Sequence, residues 1–139
     1  MQTQSLSEAV RRELLARPGV TEGAHRFDGG AVFHLGRREL GHLHGEHVAD
    51  IPLPAHIRDA LLAQGRLAPE HVVPDSAWVS RRVDHPGDIV EIVELFRISY
   101  EHVASLPDEP EQAEPQEDIG AGWRRALVPR FLRRDRARR

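Results

Sequence analysis

Ile89, Ile92, Val93, Phe96, Tyr100 and Val103 recur at the i, i+3, i+4 and i+7 spacing of a helix with one apolar face. Such a stripe has to be covered. Burying about six side chains of this kind, at roughly 1.5–3 kcal/mol each, makes this helix the largest single contributor to a core. The rest of the chain must therefore supply a surface for it. With 139 residues there is room for one ordinary domain. A domain of that size buries about two thirds of its unfolded surface, enough to fold without a disulfide or a structural metal.

The covering surface reads as a small antiparallel sheet. Ala31-Val-Phe-His-Leu35 is a β-prone run after the turn Asp28-Gly-Gly30. Gly36-Arg-Arg38 is the next turn, and Glu39–Gly45 alternates, placing Leu40, His42 and His44 on one face and Leu43 on the other. Val48–Ile51 completes a three-stranded meander, and Ser76–Val83 is a fourth strand. Ser5-Leu-Ser-Glu8 has the capping-box pattern and opens a short amphipathic helix over residues 6–16, ended by Arg17-Pro-Gly19. Pro54 is expected at the first position of a second helix striped by Ile57, Leu61 and Leu62, with Gly65 as its C-terminal cap. The expected fold is α+β: the meander plus a fourth strand, with about three helices packed on it, the first and third together on one face.

Charge divides the chain. Residues 1–106 sum to −4, residues 107–118 to −6 and residues 119–139 to +7. The expected organisation is a globular domain over 1–105, an acidic proline-bearing linker over 106–118, and a flexible arginine-rich amphipathic tail over 119–139. In that tail Trp123, Leu127, Phe131 and Leu132 interleave with arginines. All 19 basic residues are arginine, a bias that a GC-rich genome produces without any function. No cysteine is present, which excludes thiolate metal sites, iron–sulfur clusters and thiol nucleophiles. The first residues lack a basic n-region and an apolar h-region, and no run approaches a membrane span. A cytoplasmic location is the expectation.

Four blocks carry a family likeness. They are Pro18-Gly-Val-Thr-Glu22, Gly36-Arg-Arg-Glu-Leu-Gly-His-Leu-His-Gly45, Ala49-Asp-Ile-Pro-Leu-Pro54 and His71-Val-Val-Pro-Asp-Ser-Ala-Trp-Val-Ser80, followed by Phe96-Arg-Ile-Ser-Tyr100. In order and spacing they resemble the bacterial luciferase-like domain family, most of whose members lack an assigned activity. A more distant likeness, through His71, Trp78-Val79 and Ser99-Tyr100, is to the MmcQ/YjbR-type domains. It implies an antiparallel sheet with helices against it. The luciferase name is shared with fungal light-emitting enzymes, which oxygenate a hydroxypyrone with O₂; the resemblance implies a fold and does not carry that reaction to this chain. No flavin or nicotinamide glycine fingerprint is present and no cofactor is assigned, so an oxygenation would have to be cofactor-free or metal-assisted.

Five of the nine histidines lie between residues 34 and 56. His42 and His44 share a strand face, and Asp50 lies on the adjoining strand. Three readings are open for this set: two imidazoles and a carboxylate on one metal, a metal-free polar pocket, or sheet residues with only a structural role. No metal is assigned. His71 and Asp75 flank the loop that enters the Trp78 strand, an imidazole able to move a proton beside a carboxylate able to orient it. The bland alternative has Asp75 and Ser76 capping that loop. The candidate catalytic residues are thus His44, Asp50, His71 and Asp75. Candidate ligand contacts are His42, Arg58 for an anionic group and Trp78 by stacking, against the usual roles of a solvated helix arginine and a core tryptophan.

The functional expectation is a small-molecule-binding domain, in the stronger form a cofactor-independent or metal-assisted enzyme with a His/Asp pocket. The rival is a non-enzymatic interaction module that docks on a partner protein or an anionic membrane through residues 119–139. Nucleic acid is the less favoured partner, because residues 1–106 are acidic. A homodimer through an edge strand is a further expectation.

Overall fold

The computed structural model describes residues 4–24 and 30–107. Among them are three α-helices, a short 3-10 turn and five strands. In chain order these are α1 (Leu6–Leu14), β1 (Val20–Ala24), β2 (Ala31–Leu35), β3 (Arg38–His44), β4 (Val48–Pro52), α2 (Ala55–Ala63), the turn Pro69–His71, β5 (Trp78–Arg82) and α3 (Pro86–Ser105). The α+β class holds. The sheet has five strands where the sequence suggested four, in the order β1-β2-β3-β4-β5 with every neighbouring pair antiparallel. The extra strand is Val20-Thr-Glu-Gly-Ala24. It has one large apolar side chain and shows no alternation, so its strand character comes from full pairing with β2 and from Arg11 of α1, which grips Glu22 through Nε and Nη2 at 2.9–3.0 Å. The Asp28–Gly29 part of the expected turn, the linker beyond residue 107 and the tail 119–139 lie outside the described residues.

Local signals account for the helix ends. Ser5 Oγ accepts the Glu8 N–H and the Glu8 carboxylate accepts the Ser5 N–H, both at 3.2 Å, which closes the expected capping box. Pro54 proves to be the N-cap of α2 and not its first helical residue. At the other end the N–H groups of Gly65 and Arg66 bond back to Leu62 O and Leu61 O, closing α2 as expected. At the start of α3, Asp88 accepts the N–H groups of Asp84 and His85 at 2.8 and 2.9 Å.

The sheet has two unlike faces. Phe33, Leu43, Ala49, Ile51 and Val79 point to one side and form a core with Leu6, Val10 and Leu14 of α1, Leu61 of α2, and Ile92, Leu95 and Phe96 of α3. Helices α1 and α3 pack together there, as the stripe of α3 requires. The other face takes the alternate residues, including His42, His44, Asp50, Trp78 and Ser80.

One irregularity decides which residue goes where. Phe33 pairs with Gly41 and His34 with Glu39, so Leu40 is an extra residue in β3, a β-bulge. Strict alternation would put Leu40 beside His42 and Glu39 on the opposite face. The bulge reverses both: Leu40 is fully buried in the core cluster and Glu39 reaches His42. Ser99 Oγ of α3 donates to Leu40 O at 2.9 Å and satisfies the carbonyl in this irregular stretch. Gly41 follows with φ +147°, and a Cβ there would sit 2.5 Å from Phe96 Cε1 and 2.9 Å from Asp50 O. Phe96 in turn meets Phe33 edge to face at 5.9 Å. The largest fully buried side chain of the α3 stripe is therefore seated directly on a strand glycine.

Two measurements check this account. Gly41→Ala should cost about 3 kcal/mol or more in urea unfolding, from backbone strain and collision together. Gly36→Ala shares a positive φ but meets nothing within 4 Å and should cost only about 1 kcal/mol. Equal losses would show that Phe96 does not rest on Gly41. The second concerns Glu46, whose carboxylate accepts the N–H and Oγ–H of Ser7 at 2.9 and 2.6 Å and ties α1 to the β3–β4 turn. Burial would raise its pKa, but the Ser7 bonds outweigh burial and hold it below the usual 4.5. The stabilisation is thus present above pH 4.5 and is lost as pH falls through the lowered value. Glu46→Ala should be less stable than the parent at neutral pH, with the gap closing in acid.

Candidate functional site

Cross-strand pairing lines up the polar face. Val32, His42, Asp50 and Ser80 are successive partners across β2, β3, β4 and β5. In the neighbouring row His44 pairs with Val48 and Val48 with Arg82, while Trp78 pairs with Pro52. Alternation alone puts His42, His44, Asp50, Trp78 and Ser80 on one side, because Leu43, Ala49, Ile51 and Val79 between them are held in the core.

The side chains then converge on Asp50. His44 Nε2 lies 2.7 Å from Asp50 Oδ2, and His42 Nε2 lies 3.2 Å from the same oxygen. Ser80, the β5 partner of Asp50, faces the same carboxylate and helps to lower its pKa. The other ring nitrogen of His42, Nδ1, lies 2.6 Å from Glu39 Oε2. The two imidazoles meet edge to face at 4.9 Å, and the Trp78 ring tilts against His42 at 5.1 Å. His42 is fully buried, whereas the His44 side chain keeps 34% of its surface accessible. One imidazole is structural in its setting and the other is reachable.

Electrostatics follow from these distances. Burial disfavours a charge on His42, but the carboxylates of Asp50 and Glu39 beside its two ring nitrogens outweigh it and raise its pKa from 6.5 to about 9. Burial likewise pushes Asp50 up, and the neighbouring His42, Ser80 and His44 overcome it, so Asp50 stays below the usual carboxylate range. The unit is an imidazolium at His42 between the carboxyl groups of Glu39 and Asp50, with His44 attached at its accessible end.

Beside it, at the β5 edge, is an open hollow of about 510 Å³. Val48, His71, Ser80, Arg81 and Arg82 contribute to its wall. Ser80 belongs both to the hollow and to the Asp50 cluster, and Val48 is the strand partner of His44, so the two features adjoin. His71 Nδ1 accepts the Ala68 N–H at 3.2 Å, and burial, with Arg81 nearby, lowers its pKa. Arg81 is buried between β5 and α3, its Nη2 3.2 Å from Asp88 and 2.8 Å from Glu91.

The residues singled out from sequence therefore separate. His42, His44, Asp50 and Trp78 come together, whereas His71 lines the hollow, which shares Ser80 with that cluster. Asp75 and Arg58 do not enter this cluster. Asp75 is exposed, with φ 59°, in the turn leading into β5. Arg58 Nη1 donates to Ser76 O at 3.0 Å and so braces that same turn, with Asp59 3.4 Å from its Nε. Two contributors escaped the sequence reading, Glu39 and Ser80. Ser80 was within reach, since it shares a strand face with Trp78 two residues away. Glu39 was not, because its placement depends on the bulge.

A family model described as Luciferase domain matches residues 37–99. Over that segment the chain is similar to the luciferase-like domain family. The matched segment holds β3, β4, α2, β5 and most of α3, and within it lie Glu39, His42, His44, Asp50, His71, Trp78 and Ser80. Helix α1 and strands β1 and β2 lie outside it. No curated protein and no solved structure matches the chain.

The hold on the buried imidazole can be checked directly. Glu39→Ala leaves the buried His42 Nδ1 without this acceptor and should cost about 1.5–3 kcal/mol in chemical denaturation at neutral pH. In a His42→Phe background the same change should cost far less, giving a coupling of about 1 kcal/mol or more in a double-mutant cycle. Additive losses would mean that Glu39 acts elsewhere.

Proposed function

We propose that the luciferase-like domain binds a small polar molecule at the β5 edge and presents it to the Asp50 cluster for cofactor-independent or metal-assisted chemistry. One observation carries this reading: nitrogens of two imidazoles lie within 3.2 Å of a single carboxylate oxygen, beside a hollow whose wall shares Ser80 with them. A sheet face needed only for stability gains nothing from a buried imidazolium, because taking a charge out of water is costly and an apolar side chain of like volume fills the space at less expense. Polar groups that converge in a concavity with shifted pKa values are the usual mark of a ligand site.

Each group has a part in this reading. Ser80 and Arg82 supply hydrogen-bond donors at the wall. His71, kept neutral near pH 7, can exchange a proton with a ligand in the hollow. His44 is the member of the cluster that a ligand can touch, and Asp50 fixes its ring through Nε2. Trp78 covers His42 and keeps water from the array. The alternative through residues 119–139, docking on a partner protein or an anionic membrane, concerns a segment outside the described residues.

The test is a fragment screen by NMR on the full chain carrying labelled histidine and tryptophan, using small carboxylates, hydroxy acids and keto acids as probes. Bound fragments should shift the His44, His71 and Trp78 signals together. Ser80→Leu, which fills the shared wall, should weaken them at least about tenfold, or about 1.4 kcal/mol. Hits that shift only other residues, or that survive Ser80→Leu unchanged, would overturn the reading.

A further inference from the structure

The ligand atoms of the cluster are arranged for something larger than a proton. One donor atom from each of His42, His44 and Asp50 lies within 4.8 Å of the other two. His44 Nε2 and His42 Nε2 are 2.7 and 3.2 Å from Asp50 Oδ2. Ligands bound to one ion at about 2.0–2.2 Å stand roughly 3 Å or slightly more apart. A small outward relaxation of each side chain would therefore admit an ion among the three.

The orientation of His42 adds a second, independent observation. A metal-bound histidine usually gives its remaining ring N–H to a carboxylate, which fixes the ring and strengthens the ligand. Glu39 stands in that relation to His42, with Oε2 2.6 Å from Nδ1, and Nε2 is thereby turned toward Asp50 and His44. A bulge in β3 is needed to bring Glu39 there. Glu39 and Asp50 flank His42, so an ion that displaced the Nε2 proton would keep a positive charge between the two carboxylates.

We propose that His42 Nε2, His44 Nε2 and Asp50 Oδ2 form a binding site for a divalent first-row transition-metal ion, with Glu39 as the outer partner that aims His42. Two imidazoles and one carboxylate suit ions of the zinc and iron(II) class and exclude calcium and magnesium, which want an oxygen cage. Three protein ligands leave coordination positions open. The accessible side of His44 and the Ser80 wall give those positions access to the hollow. When bound, the ion would polarise an oxygen atom of a ligand or of water. This deepens the proposed ligand-binding function by naming its cofactor class, and metal binding can be measured without any small-molecule ligand.

The full chain, stripped with chelator, is titrated with Zn²⁺ by calorimetry and with Co²⁺ by visible absorption. In a Trp123→Phe background, Cu²⁺ quenching of Trp78 emission reports binding near His42, because the two rings are 5.1 Å apart. One ion per chain is expected, at micromolar affinity or tighter, with quenching of Trp78. His44→Ala and Asp50→Asn should each weaken binding about 100-fold or more, and Glu39→Gln about 10–100-fold, with unfolding curves confirming a native fold. His56→Ala should change nothing, although His56 faces His102 at a ring distance of 6.1 Å and is the obvious place for adventitious metal. Zn²⁺ binding that is absent at millimolar concentration, that ignores His44→Ala and Asp50→Asn, or that disappears with His56→Ala overturns the proposal. Fragment binding unchanged in metal-free protein would overturn the metal role and leave the ligand site standing. A bound ion with no fragment at the hollow would do the reverse.

Discussion

The contact between Phe96 and Gly41 sets the position of nearly everything else. Helix α3 is the longest element among the described residues, and its apolar stripe can be buried only if the sheet lets it approach. Gly41 provides that approach by having no Cβ where Phe96 rests. The adjacent bulge supplies the second half of the solution. By adding Leu40 to β3 it contributes a further core side chain, and Ser99 of α3 bonds to the carbonyl of that residue. The joint between helix and sheet is thus both apolar and hydrogen-bonded at one place, next to His42 on the same strand.

That joint has an electrostatic consequence on the far face. An extra residue shifts the alternation of everything before it relative to everything after it. Glu39 is carried to the side of His42, and His42 acquires carboxylates at both ring nitrogens. A fully buried imidazole with one acceptor would tend to remain neutral; with two it becomes a cation site. The same structural device that packs the core therefore supplies the negative charge that the cluster needs. Core and site are built from opposite sides of one irregular strand.

This coupling explains what could be read from the sequence and what could not. The stripe of α3, the capping box of Ser5 and Glu8, and the meander with its glycine turns are local patterns, and local patterns survive in a single sequence. So does the pairing of His42 with Asp50, which follows from the tight turn between β3 and β4. Leu40 was assigned to the His42 face because alternation is the only rule available without the partner strand, and a bulge is specified by that partner. Glu39 was missed for the same reason. Strand β1 was missed because Val20–Ala24 owes its conformation to β2 and to the Arg11–Glu22 grip. Asp75 looked like a site residue beside His71, yet its positive φ marks it as a turn former. For Leu40, Glu39 and β1 the deciding interaction is long-range.

The extent of the family match bears on the same point. Residues 37–99 begin at the turn into β3 and end at Ser99, whose hydroxyl reaches back to Leu40. Every residue of the Asp50 cluster, and each hollow residue that adjoins it, falls inside that span. Helix α1 and strands β1 and β2 fall outside it, although α1 contributes Leu6, Val10 and Leu14 to the core. Packing alone therefore does not distinguish the matched segment from the remainder, since both contribute to one core. What does distinguish it is that it contains the bulge, the helix seated beside the bulge and the charged array the bulge creates. For stability alone, apolar side chains at His42 and Glu39 would pack the same face at lower electrostatic cost than a buried imidazolium between two carboxylates.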